Sequence, residues 1–152
     1  MIQAVLLSQG NELTTGQTTD TNAAWLAGRL WDKGIEVRRV MTAPDDLDEI
    51  CAVMAHARTL APIVICTGGL GPTRDDLTAE ALAKALSLPL IESAEALQQV
   101  EQFFALRGRE MSPSNRRQAR SPEGAEILPN SRGTAPGIAI QDPDSLICCL
   151  PG

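Results

Sequence analysis

The sequence has 152 residues, of which 43% are apolar and 21% charged, with 12 glycines and 10 prolines. This length and composition predict a single globular domain and exclude a disordered or fibrous chain. The net charge of −6 argues against nucleic-acid binding as the main function. No apolar run is long enough for a membrane helix, and the N-terminus lacks the basic start of a signal peptide, so we expect a cytoplasmic protein.

Strand and helix patterns alternate in the first half of the chain. Apolar or β-rich runs at residues 2 to 8, 35 to 42 and 63 to 66 predict three strands. The helical pattern at residues 21 to 33 follows the capping residue Asp20, and a second helical pattern starts at Leu47. This order is typical of a doubly wound α/β fold with a mostly parallel sheet.

The second half begins with a glycine-rich loop at residues 67 to 77 and continues with helical patterns at residues 78 to 87 and 93 to 107. The remaining part is rich in turns and carries three short β-like segments, at residues 125 to 128, 138 to 140 and 146 to 150. The chain has no internal repeat.

The cysteines and the single histidine predict no metal or disulfide framework. Cys51, Cys66, Cys148 and Cys149 form no C-x-x-C pair, so we expect buried, reduced thiols. His56 lies inside a predicted helix without a partner motif, which favours a structural role. The two tryptophans lie in the first long helix, where packing or an interface is expected rather than ligand stacking.

The glycine-rich loop lies between a strand and a helix, where doubly wound folds bind their ligands. Small residues let backbone N–H groups approach phosphate oxygens, and the start of the helix favours negative charge. A tight turn needs glycines too, so Gly68 and Gly69 alone leave both interpretations open. The loop has no P-loop lysine, and its dinucleotide fingerprint is incomplete.

Acidic residues accompany this loop. Asp75 and Asp76 follow it, and a carboxylate beside a phosphate binds a metal ion, caps a helix or acts as a base. Two consecutive aspartates exceed what a cap requires, so we expect a metal or catalytic role for at least one of them. Asp45 and Asp46 follow the second strand, and Glu12 follows the first. All therefore belong to the same carboxyl edge of a parallel sheet.

Residues 105 to 135 form a basic segment. They hold six arginines and three acidic residues, a local charge of +3, which leaves −9 on the rest of the chain. Such a segment could bind an anionic small molecule, or it could be a solvated surface.

Six motifs stand out along the chain. They are Gly10-Asn11-Glu12-Leu13, Gly16-Gln17, Asp20-Thr21-Asn22, the run from Thr67 to Thr78, Asn115-Arg116-Arg117-Gln118-Ala119 and Gly133-Thr134-Ala135-Pro136-Gly137. Together they resemble the N-terminal domain of the competence/damage-inducible CinA proteins, which belongs to the molybdopterin-binding superfamily with MogA, MoaB and the third domain of MoeA. The motifs agree in order and spacing over nearly the whole chain, and the long glycine-rich loop is the most specific of them.

The resemblance implies a three-layer α/β/α fold with an anionic, phosphate-bearing ligand at the carboxyl edge. It assigns catalysis and metal binding to Asp76 and Asp45. It assigns ligand and phosphate binding to a larger set of residues within the motifs. These are Gly10, Asn11, Glu12, Asn22, Thr67, Gly68, Gly69, Gly71, Pro72, Thr73, Arg74, Asn115, Arg116, Gln118, Gly133, Thr134, Ala135, Pro136 and Gly137.

The leading functional hypothesis is metal-dependent hydrolysis of a nucleoside diphosphate sugar such as ADP-ribose. The resemblance also leaves open molybdopterin binding or adenylyl transfer, and a non-catalytic nucleotide-sensing module. It implies a divalent metal ion such as Mg²⁺, with a monovalent cation as a further candidate. The partner would be a small nucleotide or pterin, with no nucleic acid and no membrane, and the protein would assemble as a homo-oligomer, a dimer or trimer.

We expect residues 1 to 152 to form one domain of this type. Family members continue after Pro-Gly with a further helix, and the sequence stops at Pro151-Gly152, so we expect this chain to lack that part. CinA proteins often carry a further domain that deamidates nicotinamide mononucleotide. We see no counterpart of it in this sequence and do not assign its activity to this chain.

Overall fold

The computed structural model describes all 152 residues and is built on a six-stranded sheet. The strands are β1 (Ile2–Gln9), β2 (Ile35–Ala43), β3 (Ile63–Thr67), β4 (Leu90–Glu92), β5 (Arg120–Pro122), β6 (Glu126–Leu128), β7 (Gly137–Gln141) and β8 (Leu146–Leu150). The helices are α1 (Asn11–Thr14), α2 (Thr21–Trp31), α3 (Leu47–Leu60), α4 (Thr78–Ala85) and α5 (Ala94–Ala105), with a 3₁₀ helix at Pro113–Ala119.

The main sheet has the strand order β2-β1-β3-β8-β7-β6. Its first four strands are parallel, β7 pairs antiparallel with β8, and β6 pairs antiparallel with β7 at the edge of the sheet. Strands β4 and β5 form a separate two-stranded antiparallel sheet. The predicted mostly parallel α/β sheet is therefore confirmed, and the carboxyl ends of β1, β2, β3 and β8 share one edge.

Apolar side chains cover both faces of the sheet and produce three layers. Because successive strand residues point to opposite faces, Val5 and Leu7 join a large core cluster that includes residues of α3 and α4. Leu6, between them, belongs to a smaller cluster on the other face with Ala23 of α2. Helix α5 contributes Ala96 to a third cluster.

Side-chain caps fix where three helices begin. Asp20 accepts a hydrogen bond from the backbone N–H of Ala23 at the start of α2. Asp46 caps α3 in the same way, and Ser93 caps α5. These bonds satisfy N–H groups that have no partner inside the helix, so they stabilise the helix starts where the chain leaves the preceding strand or loop.

The short elements differ from the sequence-based expectation. Residues 11 to 14 form α1 and residues 113 to 119 the 3₁₀ helix, where loops were expected, and β4 and β5 were not expected at all. Tertiary contacts decide the conformation of these short elements, and their sequences show no local hydrophobic pattern. The equally short strands β3, β6, β7 and β8 were predicted because each is a largely apolar run bounded by turn residues. The longer elements agree with the sequence within a few residues at each end.

All four cysteines are free thiols, as expected, but only two of them are buried, because Cys51 and Cys148 are partly exposed. Cys66 and Cys149 are fully buried register partners on β3 and β8. A hydrogen bond with Cys66, together with burial, raises the pKa of the Cys149 thiol well above its ordinary value. The helices include none with both the length and the apolar character needed to cross a membrane.

Candidate functional site

A cleft of about 870 Å³ opens at the carboxyl edge of the sheet. Only two of its 21 lining residues are hydrophobic, so it is suited to a polar ligand. The lining comes from the segments that follow β1, β2, β3 and β8 and from the loop before β7. Its residues are Gln9, Gly10, Glu12, Asn22, Asp45, Gly68, Gly69, Leu70, Gly71, Pro72, Thr73, Asp75, Asp76, Gln118, Asn130, Arg132, Gly133, Thr134, Ala135, Pro151 and Gly152.

The glycine-rich loop after β3 requires glycine at two successive positions. Gly68 and Gly69 have φ angles of 91° and 68°, in the region that side chains rarely adopt. A Cβ atom on Gly68 would lie 2.8 Å from the carbonyl oxygen of Gln9, and one on Gly69 would lie 2.2 Å from Thr78 Oγ1. The loop therefore packs its bare backbone against its neighbours and exposes backbone along the cleft.

The Thr78 hydroxyl fastens this loop to β1 and α4. It is fully buried and lies 2.7 Å from Gln9 Oε1 and 2.7 Å from the carbonyl oxygen of Gly68. The backbone N–H of Thr78 also donates to the carbonyl oxygen of Gly69. One residue at the first position of α4 thus holds both glycines and the last residue of β1.

Asp76 closes a turn within the loop. Its Oδ2 atom accepts hydrogen bonds from the backbone N–H and the hydroxyl of Thr73, at 2.8 and 2.7 Å. A Cβ atom on Gly71 would lie 2.7 Å from the same oxygen, so glycine leaves room for the carboxylate. Asp76 therefore shapes the loop as well as lining the cleft.

Asp45 joins the segments that follow β1 and β2. The backbone N–H of Asn11 donates to Asp45 Oδ2 at 3.1 Å, and the backbone N–H of Asp45 donates to Asn11 Oδ1 at 3.0 Å. This reciprocal pair positions Asp45 in the cleft lining. Asn11 does not line the cleft, and its role in the site is to hold Asp45 in place.

A hydrogen-bonded chain supports the opposite wall. Asn115 Nδ2 donates to Gln118 Oε1 at 3.0 Å, and Gln118 Nε2 donates to Thr134 Oγ1 at 2.7 Å. Asn130 shapes the adjoining turn, because its Nδ2 atom donates to the Ala135 carbonyl and its Oδ1 atom accepts from the backbone N–H of Gly133.

Two arginines of the basic segment are engaged in structural contacts. Arg117 donates through Nε and Nη2 to the carbonyl oxygen of Asp76, which attaches the 3₁₀ helix to the glycine-rich loop. Partial burial lowers the pKa of Arg117, and the nearby charge of Arg120 lowers it further. Arg116 makes a two-pronged ion pair with Glu92 at 2.6 and 2.9 Å. The hydrogen bond with Glu92 raises the pKa of Arg116.

Most of the residues predicted for the site line the cleft. They are Gly10, Glu12, Asn22, Asp45, Gly68, Gly69, Gly71, Pro72, Thr73, Asp76, Gln118, Gly133, Thr134 and Ala135. Seven others lie outside its lining: Asn11, Thr67, Arg74, Asn115, Arg116, Pro136 and Gly137. Asn11, Asn115 and Arg116 use their polar atoms in the contacts described above, and Pro136 and Gly137 are buried where β7 begins.

Sequence reasoning did not assign Gln9, Asn130 or Arg132 to the site, although all three line the cleft. Gln9 ends a strand whose other residues are core, and its position directly before the Gly10 motif was the available signal. Arg132 was visible only as one of six arginines in the basic segment. Its position directly before the Gly133 motif was the available signal.

Negative charge dominates the cleft wall. Four acidic residues line it, Glu12, Asp45, Asp75 and Asp76, against the single arginine Arg132. No group of three or more His, Cys, Asp or Glu side chains is arranged to hold a metal ion. Mg²⁺ is held in many nucleotide sites by one or two carboxylates together with phosphate oxygens and water, and both Asp45 and Asp76 line this cleft.

Comparison with known proteins relates the chain to one family. The family described as "Probable molybdopterin binding domain" matches residues 5–152. A CinA-like protein of Anaeromyxobacter dehalogenans (strain 2CP-C) is 42% identical over 151 residues, which are 99% of this chain and 37% of that protein. The chain thus spans a little over a third of the length of that relative.

Two solved structures resemble the fold. The CinA protein from Thermoplasma acidophilum superposes with a TM-score of 0.92 at 33% identity, covering 99% of this chain and 88% of that one. The molybdopterin biosynthesis enzyme MoaB from Thermus thermophilus superposes with a TM-score of 0.63 at 19% identity, covering 100% of this chain and 82% of that one. The second likeness concerns the fold alone.

The loop geometry predicts opposite effects for two Gly→Ala substitutions. Gly69→Ala should lower the free energy of unfolding by about 1–3 kcal/mol or more, because alanine disfavours its positive φ and would collide with Thr78. Gly28→Ala, in the middle of α2 with nothing within 4 Å of the added Cβ, should raise it by about 0.5–1 kcal/mol. Urea unfolding measures both, and a Gly69→Ala protein as stable as the parent would contradict the loop geometry.

Two arginines of the basic segment should differ in anion binding. Arg132→Ala removes the only basic side chain of the cleft lining and should weaken the binding of pyrophosphate about tenfold. Arg116→Ala removes the same charge outside the cleft and should have a much smaller effect. Isothermal titration compares them, and equal losses in both variants would place the anion elsewhere.

Proposed function

The chain belongs to the family of probable molybdopterin-binding domains and is CinA-like within it, and we propose that its cleft binds a phosphate-bearing nucleotide or pterin. More specifically, we propose metal-dependent hydrolysis of the phosphoanhydride bond in a nucleoside diphosphate sugar such as ADP-ribose. Within the Gly68 to Thr73 loop, the backbone N–H groups of residues 69 to 71 would hold phosphate, since those of Gly68 and Thr73 already donate to Leu150 and Asp76. Asp45 and Asp76 would hold a divalent cation such as Mg²⁺. A monovalent cation is a further candidate cofactor.

One observation carries this proposal: bare backbone and carboxylates face the same polar cleft. Backbone N–H groups at a helix start favour phosphate, whereas four carboxylates repel it. The two preferences are reconciled when a divalent cation lies between phosphate and carboxylate, which is the arrangement of many phosphoryl-transfer sites. A cleft built for an uncharged ligand would need neither feature.

The chemistry requires water as the second reactant. Its oxygen would attack one phosphorus of the diphosphate, the bridging P–O bond would break, and AMP and ribose 5-phosphate would leave with the release of a proton. The bound cation would neutralise charge that develops on the phosphate oxygens. Asp76 would orient the attacking water through its second oxygen, because Oδ2 is already bonded to Thr73. Arg132 would bind phosphate at the rim.

Asp76→Asn is the sharpest test of this function. The asparagine carbonyl can still accept the bonds from Thr73, so the loop should keep its shape while the negative charge is lost. We expect the rate of ADP-ribose cleavage with Mg²⁺ to fall about a hundredfold or more. Chromatographic separation of AMP and ribose 5-phosphate measures the rate.

The matched control is Asp32→Asn, which removes the same charge from an exposed side chain at the end of α2. It should keep the parent rate. Full turnover in a folded Asp76→Asn protein would refute the assigned role of this residue. No cleavage by the folded parent protein would refute the hydrolase.

A second candidate function is molybdopterin binding or adenylyl transfer. It is favoured by the family's description and by the fold shared with MoaB, a molybdopterin biosynthesis enzyme. This function would use the same cleft and the same phosphate loop, but it predicts tight pterin binding without water-driven cleavage. Competition between ADP-ribose and molybdopterin for the protein separates the two candidates.

We also propose that the chain assembles as a homo-oligomer. Trp25 and Trp31 on α2 are 65% and 62% exposed, which is unusual for the largest apolar side chains and typical of contact surfaces. Light scattering measures the mass in solution. A mass equal to that of one chain over the working concentration range would refute the assembly.

A further inference from the structure

A second, smaller cavity of about 170 Å³ adjoins the main cleft. The two share five lining residues: Gln9, Glu12, Asn22, Gly68 and Gly152. The remaining wall of the small cavity comes from residues 18 to 21, Leu13 and Thr67. A ligand whose phosphate lies on the glycine-rich loop can therefore extend into the small cavity past Gly68.

Two residues that line this small cavity each carry a buried polar atom without a hydrogen-bond partner. Gln9 is 95% buried, since only 5% of its surface is exposed, and its Nε2 atom is unpaired. Asp20 uses Oδ1 to cap α2, while its Oδ2 atom is buried and unpaired. Both residues line the cavity.

Unpaired buried polar atoms reduce the stability of a folded protein, and native structures contain few of them. Here an amide and a carboxylate in this condition line one small cavity beside the proposed phosphate site. Their arrangement is explained if the missing partners belong to a ligand. The ligand group has to donate a hydrogen to Asp20 and pair with the amide of Gln9.

We infer that the small cavity binds the ribose-type sugar of the phosphate-bearing ligand, with Asp20 and Gln9 as the residues that recognise its hydroxyl groups. This inference rests on the proposed binding of a sugar nucleotide in the main cleft. A sugar hydroxyl donates to a carboxylate and both donates and accepts, so it pairs with the Gln9 amide in either of its two orientations. Neighbouring hydroxyls on one sugar ring serve both side chains.

The composition of the cavity favours a sugar over an aromatic ring. Leu13 is the one hydrophobic residue among its 11 lining residues, and no aromatic side chain is present on which a pterin or adenine could stack. Sites for flat rings are lined mainly by apolar and aromatic side chains, whereas threonine hydroxyls, an amide and carboxylates suit a polyhydroxyl group. The volume is below the roughly 300 Å³ of complete ligand sites, so it accommodates part of a ligand.

The experiment compares ribose 5-phosphate with its 2-deoxy and 3-deoxy analogues by isothermal titration of the whole chain. We expect ribose 5-phosphate to bind about tenfold or more tightly than at least one analogue, because removing the hydroxyl leaves buried polar atoms unpaired. Asp20→Asn and Gln9→Met should each bind ribose 5-phosphate more weakly and show a reduced preference over that analogue.

The variants are chosen so that misfolding cannot mimic the result. Asparagine caps helices as well as aspartate does, so Asp20→Asn should keep the melting temperature. Gln9→Met removes the unpaired Nε2 atom and also the contact of Gln9 Oε1 with the Thr78 hydroxyl, which keeps its bond to the Gly68 carbonyl, so the melting temperature should change little. A purely structural role would lower the melting temperature without changing the ratio of ribose to deoxyribose binding. Asp32→Asn is the charge-matched control and should leave that ratio unchanged.

Equal binding of the three sugar phosphates by the parent protein would overturn the inference, and so would the absence of measurable ribose 5-phosphate binding. A preference that persists in both variants would overturn the role of Gln9 and Asp20. A sugar preference without ADP-ribose cleavage would defeat the proposed hydrolase and leave this sugar site standing. Competition by a pterin that lacks sugar and phosphate, without a ribose preference, would assign the cavity to the ring.

Discussion

The turn from β3 into α4 is the constraint on which the rest of the site depends. Its backbone passes so close to Gln9 and Thr78 that neither Gly68 nor Gly69 has room for a Cβ atom. The buried Thr78 hydroxyl holds this turn against β1 and α4. Because the turn lies at the carboxyl edge of a parallel sheet, the segments after β1 and β2 are brought beside it. The cleft is the space that these segments enclose.

Much of the polar chemistry in this region builds the cleft. Asp45 and Asn11 fasten two segments to each other, Asp76 closes its own turn, and Gln118 connects two others. Each bond occupies one polar atom and fixes the direction of the remaining ones. A residue that shapes a loop can thereby present its second oxygen to a ligand at a defined position, as we propose for Asp76. Structural and functional roles are combined in the same side chain.

The long elements were predictable because their patterns are local. Strand β1 has an apolar centre at residues 4 to 7, and α2 and α3 carry both helical periodicity and a capping aspartate. The location of the cleft was predictable because the glycine-rich loop and the acidic residues follow the ends of neighbouring parallel strands. Which polar residues face the cleft followed only in part, because that also depends on partners distant in sequence. Arg116 forms an ion pair with Glu92, 24 residues away, and Gln9 is hydrogen-bonded to Thr78, 69 residues away. Neither partnership has a signature in the sequence.

The basic segment shows how a charge count can mislead. Its local charge of +3 suggests a surface that neutralises an anion, yet Arg116 is paired with Glu92 and Arg117 is bound to the carbonyl oxygen of Asp76. Arg132 remains as the basic residue of a cleft wall that has four acidic residues. A phosphate-bearing ligand in this cleft therefore cannot draw its charge balance from side chains alone. This shortage of side-chain cations is the physical reason for including a metal ion in the proposed function.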